Sequence, residues 1–197
     1  LEDISLMRAI PNMNVLAPSD AIETRSSIKK AIEYEGPIYL RIGRAEMPSL
    51  YGVDYEMEIG KGSILKVGTD ITVIAHGIMI YYTLLAAEEL LNEGISLEII
   101  NMTSIKPIDK KLILSSSKKT RGVVTVEDHS IYGGLGSSVA EVIVKNNPVP
   151  MEIIGVQDTF GESGSKGDLY KKYRLDVESI KNKIIEFHNR ISKKSLL

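Results

Sequence analysis

The residues most capable of chemistry stand in one run, Val126 to Glu141, VEDHSIYGGLGSSVAE. Glu127, Asp128, His129 and Ser130 are the side-chain types of a proton-transfer or nucleophilic centre. Gly133-Gly134-Leu135-Gly136 is composed like a loop that cradles phosphate. The order of the residues argues against both. Consecutive residues rarely aim at a common point, whereas a nucleophile, its base and an orienting acid converge from separate elements. The glycines do not form G-x-G-x-x-G, and five residues separate the strand end near Glu127 from Gly133, where a dinucleotide loop has a tight turn. The reading favoured is a strand handing over to a helix, with glycines that allow close approach.

Two other sets of residues invite a chemical reading. His76, His129 and His188 are the three histidines, and no pair of them has metal-ligand spacing. Each is read as packed or interfacial, with His129 best placed for a loop or interface role. Arg41 and Arg44, in YLRIGRAEMP, fall at or just past the end of an expected strand, where open α/β sheets bind ligands. A guanidinium there suits phosphate or carboxylate, because its planar fork donates two charge-assisted hydrogen bonds. The alternative is an ion pair with Glu35, Glu46 or Asp54.

The elements that must position these residues follow from hydrophobic period and turn chemistry. Val15 to Pro18 reads as a short strand. Asp20 and Glu23, at capping-box spacing, open a helix with Ala21, Thr24, Ile28 and Ala31/Ile32 on one face, and Glu35-Gly36-Pro37 stops it. IYLRIG follows as a strand, so residues 1–43 form one βαβ unit, too little for a domain alone. Residues 44–62 lack a sustained period and read as a connector. SILKVG and DITVIAHG, joined at Gly68-Thr69-Asp70, predict a hairpin. A helix through Ile80, Leu84, Ala87 and Leu91, the strand ISLEII and a short helix after Pro107 follow. Next come a central parallel strand GVVTVE, a helix through Leu135, Val139, Val142 and Ile143, and the strand MEIIGV. The last helix places Ile180, Ile184, Phe187 and Ile191 on one face. Residues 63–197 therefore read as a three-layer α/β domain with a mostly parallel sheet.

Bulk properties set the limits. With 197 residues and 43% hydrophobic content the chain can bury a sizeable core. A net charge of −2 argues against a nucleic-acid partner, because phosphate-binding surfaces carry a basic excess. There is no cysteine, which excludes disulfides and thiolate metal sites. No apolar run reaches membrane-span length and no secretory signal opens the chain, so no membrane role is expected and a cytoplasmic setting is the default. The start at Leu1-Glu2-Asp3, without methionine, looks like a cut through a larger protein.

Several segments together resemble the C-terminal portion of a transketolase. They are EDISLMRAIPNMNVLAPSDAIET, GPIYLRIGRAEMP, IINMTSIKPID, VVTVEDHSIYGGLGSSVAEV and FGESGSKGDLYKKYRLD, which follow one another in the family's order over nearly the whole chain. The resemblance implies a C-terminal remnant of a pyrimidine-binding domain over 1–43, a linker over 44–62 and the family's C-terminal domain over 63–197. It suggests the separate C-terminal subunit of a split enzyme.

The family implies thiamine diphosphate and Mg2+, with transfer of a two-carbon ketol unit between sugar phosphates, as in the pentose phosphate pathway. The glutamate, aromatic platform and histidines that serve the cofactor correspond to positions before Leu1. No catalytic, cofactor-binding or metal residue is therefore expected in this chain, and it is expected to bind no cofactor and be inactive alone. One position carries over by resemblance: Arg44 matches the family arginine that holds the substrate's terminal phosphate, although Gly43 and Ala45 replace that motif's polar neighbours. Arg41 has no such match and is read as structural. The implied partners are an N-terminal transketolase subunit or domain, a second copy of the chain in a homodimer, and a sugar phosphate. The rivals are the beta subunit of a 2-oxo acid dehydrogenase, deoxyxylulose-phosphate synthase, and a non-catalytic dimerisation or regulatory module. The histidine of VEDH and the arginine of GRAEMP favour transketolase.

Overall fold

The computed structural model describes residues 1–43 and 47–194. In chain order the elements are α1 (Asp3–Ala9), β1 (Asn14–Leu16), α2 (Ala21–Glu33), β2 (Ile38–Leu40), β3 (Ser63–Lys66), β4 (Ile71–Ala75) and α3 (Met79–Asn92). Then follow β5 (Leu97–Asn101), β6 (Ser104–Lys106), α4 (Lys110–Lys119), β7 (Val123–Ser130), α5 (Leu135–Asn146), β8 (Met151–Val156), α6 (Lys166–Lys172) and α7 (Val177–Lys194).

The larger sheet has the order β3-β5-β4-β7-β8, parallel except for β3. Alternate residues of its central strands enter opposite cores, as the period of two requires. Val73, Ile99 and Val124 pack with Ile80 and Leu90 of α3 and with Ile180, Ile184 and Phe187 of α7. Ile74, Ile100 and Val123 pack with Ile113 of α4 and with Leu135, Val139 and Ile143 of α5. This is the three-layer α/β arrangement with a mostly parallel sheet that the sequence predicts. Each of these large side chains, removed from water, contributes about 1.5–3 kcal/mol.

The expected hairpin does not form. β3 pairs antiparallel with β5, and β4 pairs parallel with β5 on its other edge. A Cβ at Gly68 would fall on the backbone of Leu97 and Glu98, so the connection crosses the start of β5. Asp70 then holds that crossing: its N–H donates to Ser96 O at 2.9 Å and its carboxylate accepts from Ser96 N at 2.8 Å. The continuous apolar run of β4 suits a parallel strand covered on both faces. β3, with Ile64 exposed, belongs at an edge.

The N-terminal piece is also not a free βαβ unit. β1 and β2 pair in parallel, but β6 lies antiparallel on the other edge of β1, giving the order β2-β1-β6. Among the described residues the outer edge of β2 has no strand partner. Helix α2 also turns the face opposite to the one its pattern predicts. Glu23, Ser26 and Ser27 are buried, whereas Ile28 and Ile32 are 41% and 81% exposed. The polar face is tolerated inside because Glu23 and Ser26 find hydrogen-bond partners there, while the Ser27 hydroxyl has none among the described residues. No helix among the described residues is long and apolar enough to cross a membrane.

Candidate functional site

The run from Val126 to Glu141 is a strand-to-helix passage in the structure, and its acids point in different directions. Glu127 is wholly buried and accepts hydrogen bonds from Leu135 N at 2.7 Å and Gly136 N at 2.8 Å. Those are donors of the first turn of α5, whose N-cap, Gly134, has no side chain to offer. The helix N-terminus that resembled a phosphate cradle is thus filled by the protein's own carboxylate. Burial pushes that carboxyl up to about 7, against the pull of the two backbone donors.

The glycines serve this packing. Gly133 has φ +76°, and a Cβ there would lie 2.5 Å from Ser5 Cβ on α1. A Cβ at Gly134 would strike the Glu127 carboxylate and come within 2.6 Å of His129 Nδ1.

Asp128, His129 and Ser130 do not converge. His129 is buried, with Nδ1 2.7 Å from Ser130 O, a carbonyl that can only accept, so Nδ1 carries the proton. Nε2 is then the acceptor for Ser5 N–H at 3.4 Å, and burial lowers the ring's pKa, keeping it neutral. Asp128 faces away, toward Arg41. Arg41 Nη1 donates to Asp128 Oδ1 at 2.6 Å, Nη2 to Asp128 O at 3.1 Å, and Nε to Asp3 Oδ2 at 2.9 Å. Tyr39 also donates to Asp3, at 2.9 Å. All three nitrogens of Arg41 are therefore engaged in joining α1, the end of β2 and β7. Of the other histidines, His76 is fully buried with both ring nitrogens unpartnered among the described residues, and burial lowers its pKa well below the ordinary value. His188 is half-buried on α7. Among the described residues no cluster of three His, Asp or Glu could hold a metal ion.

A second polar node, unpredicted except through its capping-box spacing, fixes α2. Glu23 accepts from Ser19 N at 2.8 Å, Ser19 Oγ at 2.7 Å, Thr103 Oγ1 at 2.6 Å, Tyr55 OH at 3.2 Å and Asn101 Nδ2 at 2.9 Å. Asp20 caps α2 through Glu23 N at 2.7 Å and also accepts from Leu50 N and Tyr51 N, so the connector is strapped to the helix start.

Beside this node lies a cleft of about 1130 Å³ between α2, the end of β2 and α6. Gly43 and Met47 both line it, together with Asp20, Asp128, Lys166 and Tyr170. Arg44, the residue expected to hold phosphate, lies outside the described residues. Its two described flanks open on this cleft. Lys166 and Tyr170 escaped the sequence reading because nothing in SKGDLYKKY distinguishes cleft-lining residues from ordinary surface.

Residues 60–180 match the family profile "Transketolase, C-terminal domain", and residues 1–49 match "Transketolase, pyrimidine binding domain". The chain belongs to the transketolase family. It is 49% identical over 189 residues to a protein of Methanocaldococcus jannaschii named as a transketolase C-terminal section, covering 94% of this chain and 58% of that one. It is 41% identical over 180 residues to a 6-deoxy-6-sulfo-D-fructose transketolase subunit of Clostridium sp. (strain MSTE9), covering 91% of this chain and 56% of that one. A solved structure described as a split gene transketolase, inactive beta4 tetramer, superposes with a TM-score of 0.92 at 44% identity, over 95% of this chain and 62% of that chain. The transketolase chain described here therefore spans somewhat more than half the length of these relatives.

Proposed function

We propose that this chain is the C-terminal portion of a two-part, thiamine-diphosphate-dependent transketolase. It acts with a complementary N-terminal portion and assembles with a second copy of itself to move a two-carbon ketol unit between sugar phosphates. The observation that carries this reading is that both transketolase profiles fall on the chain in family order, with IGRAEMP in the segment whose described flanks line the cleft. The proposed division is 1–43 for the pyrimidine-binding remnant, 44–62 for the linker and 63–197 for the C-terminal domain. The open edge of β2 and the exposed Ile28 and Ile32 agree with a pyrimidine-binding sheet that continues on a complementary portion.

Thiamine diphosphate supplies the stabilised carbanion on which ketol transfer depends. The described residues do not fit a diphosphate-Mg2+ site: no metal-holding cluster is found among them, and the α5 N-terminus is filled by Glu127. Both groups are assigned to the complementary portion. This chain's role is to receive the substrate's anionic terminus through Arg44 and to hold the surrounding walls with Arg41 and Glu23. His129 takes the interface role, holding α1 against β7. The relative named for a 6-sulfo sugar agrees with a substrate that ends in an anion.

The test combines this chain with the complementary portion, thiamine diphosphate and Mg2+, and measures ketol transfer between a ketose phosphate and an aldose phosphate. Transfer is expected in the mixture and none from the chain alone. Activity of the mixture with pyruvate, and none with the ketose phosphate, would overturn the reading in favour of a deoxyxylulose-phosphate synthase or 2-oxo acid dehydrogenase chain.

A further inference from the structure

The two sheets meet over the end of β4, and a buried histidine stands at the meeting point. Ala75 O accepts from Met102 N at 2.8 Å, which ties the strand to the end of β5. Two residues later Gly77 N donates to Ala17 O at 3.2 Å, which ties it to the end of β1. Between these two bonds lies His76, wholly buried, with neither ring nitrogen partnered among the described residues. The other ionisable groups of the joint are matched. Asp3 and Asp128 are held by Arg41, His129 is bonded at both ring nitrogens, and the Glu127 carboxylate fills the start of α5. Burial is the chief obstacle to a positive charge on the His76 ring, Arg41 and His129 add to it, and Asp3 works the other way. Helix α3 starts at Met79, three residues on, and the positive end of its dipole also disfavours a cation there. The ends of β1 and β5 bring neutral residues, Ala17, Asn101 and Met102.

We propose that His76 is an acid-operated release at the joint between the small sheet and the large one. While the ring is neutral it packs without a partner, and the joint stays closed. A proton on it puts a second cation in the field of Arg41, with the joint's carboxylates already spent, and the joint opens so that the ring reaches water. Gly77 N then parts from Ala17 O, and Ser130 N from Leu1 O. Gly77 has φ +55°, and a glycine at that position is free to change its backbone as the joint moves. The cleft takes Pro18 and Gly43 from one side of the joint and Ile78 and Asp128 from the other, so opening also draws its walls apart. The closed joint's advantage is fully present above 6.5, the ordinary value of the released ring, and is lost as pH falls from there toward the much lower value of the buried ring.

The test is hydrogen exchange of single amides in the full chain, read by NMR at about pH 7.5 and about pH 5.5 and corrected for the intrinsic pH dependence of exchange. Opening at Gly77 and Ser130 is expected to rise about tenfold between the two, because one pH unit below its free value a histidine favours the proton tenfold. The amides of Val73 and Ile74 in β4 are expected to exchange more slowly than these at both values, because the joint opens without unfolding the sheet. His76→Phe and His76→Gln, neither of which takes a proton in this range, are expected to remove the rise. The smaller glutamine covers the case in which the phenylalanine variant does not fold. A tenfold rise retained in either folded variant overturns the inference, by placing the proton elsewhere, on His129 or Asp3. No rise in the unmodified chain overturns it as well. Equal exchange at the joint and in β4 does the same, since His76 then meets a proton only when the whole chain unfolds.

Discussion

At the scale of single residues, the most constrained group is Glu127. Its carboxylate caps a helix from a neighbouring strand, in a space that exists only because residue 134 is glycine. The folded protein holds a proton on this group up to about 7, whereas the unfolded chain releases it near 4.5. Its contribution to stability is therefore fully present below pH 4.5 and is lost as pH rises through about 7. Glu127→Gln is expected to flatten the stability profile in that window, read from urea midpoints at a series of pH values. It also replaces one of two acceptor oxygens by a donor aimed at a backbone N–H, which costs about 1–3 kcal/mol. An unchanged pH slope would show that the group stays ionised throughout. The sequence placed Glu127 beside the glycines, but the partner of its carboxylate is set by the angle between strand and helix, which no local pattern encodes.

At the scale of elements, α2 shows how tertiary context reverses an amphipathic reading. Ala21, Thr24, Ile28 and Ile32 share a face by spacing, yet the buried face carries Glu23, Ser26 and Ser27. Five groups from α2's own start, the connector and the β5–β6 region donate to Glu23, and Ser26 Oγ accepts from Met57 N at 2.8 Å. Glu23→Ala is expected to cost about 3–5 kcal/mol, because it strands several buried donors at once. Ile32→Lys is expected to change the stability of this chain by less than about 0.5 kcal/mol. Denaturant titration of both variants checks the pair, and the opposite ranking would restore the face that periodicity predicts. The hairpin expectation failed for a similar reason. Gly68 and Asp70 look like a turn, but their function is to pass over β5 and bond to Ser96. α1 and β6, of seven and three residues, are too short to show a period at all.

At the scale of the whole molecule, Arg41 is the clasp between the small sheet and the large one. It pairs with Asp3 on α1 and Asp128 on β7 while belonging to the extension of β2, and its side chain is 21% exposed. Asp3 shows the effect: burial pushes its carboxyl up, but Arg41 and the Tyr39 hydroxyl more than offset this, and its pKa ends lowered. Arg41→Ala is expected to cost about 2–3 kcal/mol, by leaving two part-buried carboxylates without their cation. Arg41→Lys is expected to recover less than half of that loss, because an ammonium cannot span Asp3 and Asp128 with a planar fork. Urea denaturation measures both, and full recovery by lysine would reduce the clasp to simple charge pairing.

What the sequence determined by itself is the layering. Continuous apolar strands such as GVVTVE and a helix stripe such as Ile180, Ile184 and Phe187 must be buried wherever they land, and period alone names the faces. The order of family segments determined the kinship as well. Tertiary structure alone decided which strands are neighbours, which face of α2 is buried and where the two acids of VEDH point. Those outcomes rest on long-range hydrogen bonds, such as Glu23 to Thr103 and Arg41 to Asp128, whose partners lie 80 and 87 residues apart. Local propensity carries no information across such separations, because the partner is selected only when the sheets close around it.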